Sequence, residues 1–487
     1  MHELRIAGWI GALLALASGC ATELCDPVDL AVALDAAEAG EVVELGACRI
    51  EGTFVVPADV TLRGKGPSTI LASREGAVVT LATGSRLESL RVESAGTAAV
   101  VVRGAGRSAV TNVELALERG IGLGIDGGTS PITLSALRVT GPVRSENAMD
   151  ARWIRVAGGP VSTGSCPVET CECTPGDVDA ASSRVCDRDG RWSAWTATIG
   201  LYARDAVLTL SDVEVTGLAS HGVVADRTEL EWTGGAVRDV IGVGVLLREG
   251  SSSLTNVTVE DVVSGLRGVA SYGVAATDGH ALTSTSLAIT GGERYGLVQL
   301  ESTGTHTALA VRDQGDVGVW VERASQFALS GGLSGNGFAG IVVTDSANVS
   351  LADARIETTR LVRRNVGTFG ALELGDGLHL MGANVGLDVR RVRLAGNERV
   401  GVLLDLATTA RFEQVEVDAA GDAFGALAGS QDPAGLVVSA PAGWDAGITR
   451  LGAAVANDVA ASGAFDAIFD AGPEGAASVR GLVAPMY

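Results

Sequence analysis

The sequence predicts an all-β fold, a solenoid of stacked parallel coils. Three observations predict it. Segments of the form Gly-apolar-x-apolar start at Gly200, Gly222, Gly244, Gly273, Gly296, Gly318, Gly340, Gly377 and Gly401, at spacings of 22, 22, 29, 23, 22, 22, 37 and 24 residues. A second alternating run, such as Leu208–Val215 or Leu254–Asp261, follows about ten residues after each start. No helical periodicity separates the two runs. One period is then one coil, with strands about 4.8 Å apart, and the chain has room for about fourteen coils of about 22 residues.

Composition agrees. Glycine supplies 66 of 487 residues and apolar residues 46%, so a long core can form. Aromatics are only 4%, which leaves Val, Leu, Ile and Ala to build that core. The charge sum is 36 − 58 = −22, which excludes a basic surface for nucleic acid. Lys65 is the only lysine, so any lysine chemistry would have to use it.

In chain order, the first element is an address. The apolar run Ile6–Ala17 is too short to span a bilayer and suits a secretory signal. Ser18 and Gly19 before Cys20 resemble a bacterial lipoprotein signal. That resemblance implies lipidation at Cys20, export, and a place in the cell envelope as an outer-membrane or cell-surface lipoprotein. Six cysteines remain: Cys25, Cys48, Cys166, Cys171, Cys173 and Cys186. An even number in an oxidising compartment suits disulfides. Cys25 and Cys48 flank one short segment and are expected to pair. The other four lie within 21 residues and leave three connectivities open. A four-thiolate zinc site is the rival reading, which export disfavours.

The stretch Asp29–Leu71 holds an apolar helical run, two short strands and a Leu-x-Gly-x-Gly turn at Leu62–Gly66. It resembles the opening of pectin-lyase-like right-handed parallel β-helix proteins. The resemblance implies a right-handed coil whose open end is capped by the helix; an uncapped end would expose core and strand edge. The chain accordingly divides into a signal at 1–20, cap and first coils at 24–157, and a cysteine-rich insertion at 158–198. The main β-helix follows at 199–434, then the last coils and a C-terminal cap at 435–487. A second excursion, at about 358–376, lengthens one coil. Long insertions leave solenoids from one face, and that face often binds.

Register locates candidate chemistry. The first and third residues after the repeat glycine are apolar in almost every coil and point inward, so the second and fourth point outward. The second positions read Tyr202, Val224, Leu246, Ala275, Val298, Trp320, Val342 and His379. A face this apolar implies that something covers it. At the fourth position Arg204, Asp226 and Arg248 fall on consecutive coils, as a clamp for polysaccharide carboxylates or as a ladder that satisfies itself. Tyr202 and His221 are the proton carriers nearest them. Trp320 with Glu322, and His379 two coils on, form a second cluster. His221, Tyr272, Tyr295, Asp376 and Phe424 each precede a glycine and line one turn edge, where stacked aromatics support sugar rings or pack the turn. His280 and His306 have no partner legible in the sequence.

Polysaccharide lyases of the resembled fold share a calcium-binding acidic cluster beside an arginine or lysine base. Related hydrolases and epimerases carry Asn-Thr-Asp, Asp-Asp, Gly-His-Gly or Asp-Pro-His-like motifs. None of these strings is present, and Asp278-Gly279-His280 is the nearest fragment. Glycoside hydrolysis needs two carboxylates across the sugar, and no acidic pair falls on adjacent coils of the outward face. The expected function is therefore non-catalytic, cofactor-free binding of carbohydrate or another extended ligand along one solenoid face by a monomer. Two alternatives stand beside it. One is a lyase or depolymerase with a divergent, calcium-dependent site at Arg204, Asp226 and Arg248. The other is an adhesive rod that contacts surface proteins. A charge of −22 makes a neutral glycan or a protein an easier partner than a polyuronate.

Overall fold

The computed structural model describes residues 23–104, 106–142, 198–218, 221–264, 271–365, 371–381, 384–398, 400–404, 410–418 and 447–451, with short strands at 178–179, 184–186 and 192–194. Cys20, Cys166, Cys171, Cys173 and Phe424 lie outside them, as does the side chain of Cys186.

The described chain is an all-β parallel solenoid, a β-helix of about twelve coils. Fourteen were expected, but coils of 29 and 37 residues use more chain than the 22-residue period. Each coil turns three corners. In the coil led by Gly244 these are Glu249, Asn256 and Asp261, with φ of 44°, 54° and 54°. Left-handed backbone costs an ordinary residue about 1 kcal/mol or more, which is why Asp, Asn and Gly recur at such corners. Parallel pairing runs rung to rung in the predicted register: Leu201 on Val223, Val223 on Val245, Val245 on Val274. The same register continues at the N-terminal end, where Val100 stacks on Val79 and Leu123 on Val100.

Why glycine leads each coil follows from close approach. A Cβ on Gly222 would lie 2.4 Å from the carbonyl oxygen of Gly244 and 2.4 Å from a methyl of Val237. Gly244 meets Gly273 in the same way at 2.5 Å, and Gly296 meets Gly318 at 2.5 Å. Any side chain at these positions would force the rungs apart.

One apolar core runs down the axis, from Leu30 and Leu45 through Leu123, Val223 and Leu297 to Val402. Helix α1 (Pro27–Ala36) closes its N-terminal end with Leu30 and Leu34. Asp26 caps it by accepting from the amide of Val28 at 2.8 Å and, more weakly, of Asp29 at 3.3 Å. The Cys25–Cys48 disulfide ties this cap to the first coil, as expected. Buried amides at the corners are met by side chains. Asn336 accepts from Gln314 N at 3.1 Å and donates to Val311 O at 3.3 Å, and Asn384 repeats the pattern with Ser346 and Val343.

The three outer faces differ. The face that follows the repeat glycines is buried over most of its length and forms a second apolar cluster. The second face is lined by hydroxyls: Thr111, Ser135, Ser211, Thr233, Thr255, Thr285 and Thr307 stack on consecutive rungs. The third alternates charge through Arg91, Glu114, Arg138 and Glu214. The excursion after Thr358 is a hairpin, Val362–Asn365 paired antiparallel with the start of Ala371–Met381.

Candidate functional site

An apolar residue just before a repeat glycine packs in the outer apolar cluster with the second-position residues, as Val243 does with Leu246 and Val317 with Trp320. Arg204, Asp226 and Arg248 stand on consecutive rungs, and Asp126 precedes them on the rung before. The side chains do not clamp one another in that order. Arg204 reaches back to Asp126, Nη2 to Oδ1 at 3.1 Å, and sideways to Asp205 at 3.5 Å. Arg248 reaches forward to Asp278 at 3.1 Å. Arg227, at the corner, grips Asp205 and touches Asp226 Oδ2 at 3.4 Å. These contacts link arginines and aspartates into a network along the corner.

Burial sets the protonation of this patch. Asp226 is 1% exposed and its Oδ1 has no hydrogen-bond partner. Desolvation pushes its carboxyl above the ordinary aspartate value, against the pull of Arg227 and Arg248. Asp205 moves the opposite way, held below its ordinary value by the hydrogen bond from Arg227. Burial also raises the Tyr202 phenol. His221 lies fully inside, and desolvation lowers its imidazole to about 4, so it is neutral at pH 7.

The second cluster is assembled as the register implied, and it too is buried. Trp320 donates Nε1–H to Glu322 Oε2 at 3.2 Å, and Arg323 pairs with the other oxygen of that carboxylate. Tyr272 and Tyr295 stack with centroids 5.5 Å apart, and Trp320 meets Tyr295 edge-on at 6.0 Å. Arg294 lies over the Tyr295 ring at 5.2 Å and pairs with Asp316 at 2.7 Å. His379 sits two rungs beyond Trp320, with Nδ1 3.0 Å from Asp376 Oδ2 and both side chains fully buried. That contact is off the hydrogen-bonding line, so neither ring nitrogen has a hydrogen-bond partner. Of the eight candidate residues only Arg248 keeps appreciable exposure, 25% of its side chain.

Two features escaped the sequence reading. His280 and His306 do have partners, inside the solenoid. His280 bonds Ser252 Oγ at 2.9 Å and the Glu249 carbonyl at 3.0 Å. His306 bonds Ser284 Oγ at 2.8 Å and Gln299 Oε1 at 3.3 Å, and burial lowers it to about 3. The only signal was that Gln299 breaks an apolar column and that Gly304 leaves room for it. The second feature is the hydroxyl face.

No protein-family model matches the sequence, and no characterised protein matches it at the level of sequence. Solved structures do. Tailspike protein 2 of the Escherichia coli bacteriophage CAB120 is 10% identical with a TM-score of 0.42, over 80% of this chain and 46% of the tailspike. This chain therefore spans less than half the tailspike's length. A polygalacturonase from Erwinia carotovora is 11% identical with a TM-score of 0.30, over 81% of this chain and 96% of the enzyme. The A-module of an Azotobacter vinelandii mannuronan C-5 epimerase is 11% identical with a TM-score of 0.26, over 88% of each chain. These likenesses add nothing to the fold already read from strand register.

Among the described residues no group of three or more His, Cys, Asp or Glu is placed to hold a metal ion. No described helix is long and apolar enough to cross a membrane.

Proposed function

We propose that this chain is an exported β-helix, lipid-anchored at Cys20, that binds carbohydrate or another extended ligand along a solenoid face without turning it over. One observation carries the non-catalytic part. Asp126, Asp205, Asp278 and Glu322, four of the carboxylates at or beside the candidate residues, are each tied to an arginine. Sugar hydrolysis uses a carboxylate pair held apart across an open cleft, and paired carboxylates of this kind lack that freedom. The binding part is supported by the regular rung array, which repeats the same outward groups about every 4.8 Å and so suits a polymer.

The test is native electrophoresis of the chain through gels that each contain one polysaccharide: pectate, alginate, xylan, a neutral glucan or a peptidoglycan digest. Calcium is included, and intact polymer is stained afterwards. Retardation without clearing supports the proposal. A cleared zone overturns it, and absence of both favours the adhesive rod.

One observation favours a second reading, a calcium-dependent lyase. Asp226 Oδ1 is buried without a partner between two arginine rungs, and buried orphan carboxylates cluster at reactive sites. On that reading Arg248→Ala abolishes clearing.

A further inference from the structure

The second outer face differs from the other two in chemistry. Its central column runs through seven hydroxyl rungs from Thr111 to Thr307, and none of those residues is buried. A parallel column two residues away on each strand carries Thr133, Thr209, Glu231, Ser253, Thr283 and Thr305, again with none buried. Ser135 and Thr111 bond to each other at 3.1 Å. From Thr233 to Thr307 the side-chain hydroxyls of both columns make no hydrogen bond among the described residues, so each turns a donor and an acceptor outward.

We infer that these columns are the ligand-binding surface, and that the ligand is a linear, uncharged polysaccharide lying along the solenoid axis. This rests on the binding function proposed above and adds the face and the substrate class. A hydroxyl is donor and acceptor at once, so a row of them meets a hydroxylated chain in either direction. The rows repeat at about 4.8 Å along the axis and about 6.7 Å across it, a grid on which a regular polymer makes many identical contacts. Each contact exchanges a bond to water for a bond to sugar and is weak alone, so affinity comes from their number.

The chemistry of the face excludes other partners. Neither column carries a basic residue, and Glu231 within the second column and Glu229 beside it repel polyanions while accepting from sugar hydroxyls. Protein interfaces are anchored by buried aromatic or arginine side chains, which these columns lack. The reading does not involve Arg204, Asp226 or Arg248, which stand on the neighbouring face.

The test compares three forms of the full-length chain in the same polysaccharide gels and by titration with oligosaccharides of increasing length. The first is the unaltered chain. The second carries Thr255→Val, Thr283→Val, Thr285→Val and Thr305→Val, which keeps shape and strand preference and removes four hydroxyls. The third carries Thr216→Val, Thr258→Val and Thr290→Val on the third face. Circular dichroism and melting confirm that all three fold alike. The expected result is retardation by a neutral glucan or xylan but not by pectate, weakened about tenfold or more in the second form and unchanged in the third. Affinity is expected to rise with oligosaccharide length until the ligand covers about 30 Å, the span of the hydroxyl rungs. Retardation that the second form retains overturns the face while leaving the binding function intact. Retardation of the unaltered chain by pectate alone overturns the substrate class. Inhibition of ice growth that the second form loses, with no glycan retardation, shows that the rows order water and overturns both inferences. Failure of every polymer to retard the unaltered chain overturns the binding function itself.

Discussion

Arg227 reaches back one coil and grips Asp205 through two parallel bonds, Nε to Oδ1 at 2.7 Å and Nη2 to Oδ2 at 3.0 Å. The same guanidinium touches the buried Asp226 at 3.4 Å. An arginine fork at a corner thus serves two carboxylates in different surroundings, one wet and one dry.

The wet half contributes little, because an exposed ion pair is worth about 0–1 kcal/mol. The dry half decides the outcome of substitution. Arg227→Ala leaves Asp226 buried without its nearest cation and is expected to lower stability by about 1–3 kcal/mol. Asp226→Asn should lose much of its own effect in that background. A double-mutant cycle on denaturant midpoints measures the coupling, and strict additivity would show that Arg227 does not support Asp226.

Acid should unfold the solenoid through its histidines. His306 and His221 titrate at about 3 and about 4 in the folded chain because burial disfavours the imidazolium. Unfolded, each returns to about 6.5. The unfolded state then binds more protons between those values, so stability is complete above pH 6.5 and falls as pH drops toward 3. For His306 the loss at the acid limit is on the order of 5 kcal/mol. His306→Gln should flatten the dependence of melting temperature on pH between 6.5 and 4. An unchanged slope in that variant would mean that other groups drive acid unfolding.

The repeat glycines can be separated from ornamental ones by a single methyl. Gly222→Ala drives a Cβ into the Gly244 carbonyl and Val237, both at 2.4 Å, and is expected to destabilise by about 1–3 kcal/mol. Gly332→Ala meets nothing within 4 Å and should be neutral or stabilising by up to about 1 kcal/mol, since alanine restricts the unfolded chain. Thermal melts of the two variants check the contrast, which disappears if the rungs can slide apart without cost.

Legibility followed the strength of the packing constraint. Gly200, Gly222 and Gly244 announced the coil because backbone meets backbone there and no side chain fits. Val224, Val298 and Trp320 announced a buried outer face because a row of apolar side chains at outward positions would otherwise stand in water. Ser284, His306 and Gln299 were opaque for the opposite reason. One of their hydrogen bonds crosses to the next coil and the other joins two strands of one coil, so the partners lie 22 and seven residues apart and only an assembled register brings them together. The hydroxyls at Thr233, Thr255 and Thr285 were overlooked because threonine is an ordinary strand residue, and its message lies in stacking on the same side of seven rungs. The direction of Arg204 was equally hidden: three rungs of alternating charge suggested a clamp or a ladder satisfied within itself, while the side chains of Arg204 and Arg248 lean away to Asp126 and Asp278.

Removal of the Cys25–Cys48 bridge should act locally. The bond closes a separation of 23 residues, and loop-closure entropy assigns it about 3 kcal/mol. Beside it, Gly46 N donates to Leu24 O at 3.1 Å, and Leu30 and Leu34 of α1 seal the first coil. A solenoid couples each coil only to its neighbours, so the loss should not travel far. In the double variant Cys25→Ser, Cys48→Ser, amide exchange is expected to quicken in α1 and around Val43 and Ile50. Protection at Val274 and Leu297, many coils away, is expected to persist. Uniform loss of protection along the chain would mean that the cap nucleates the whole solenoid and that the coils fold as one unit from the N-terminal end.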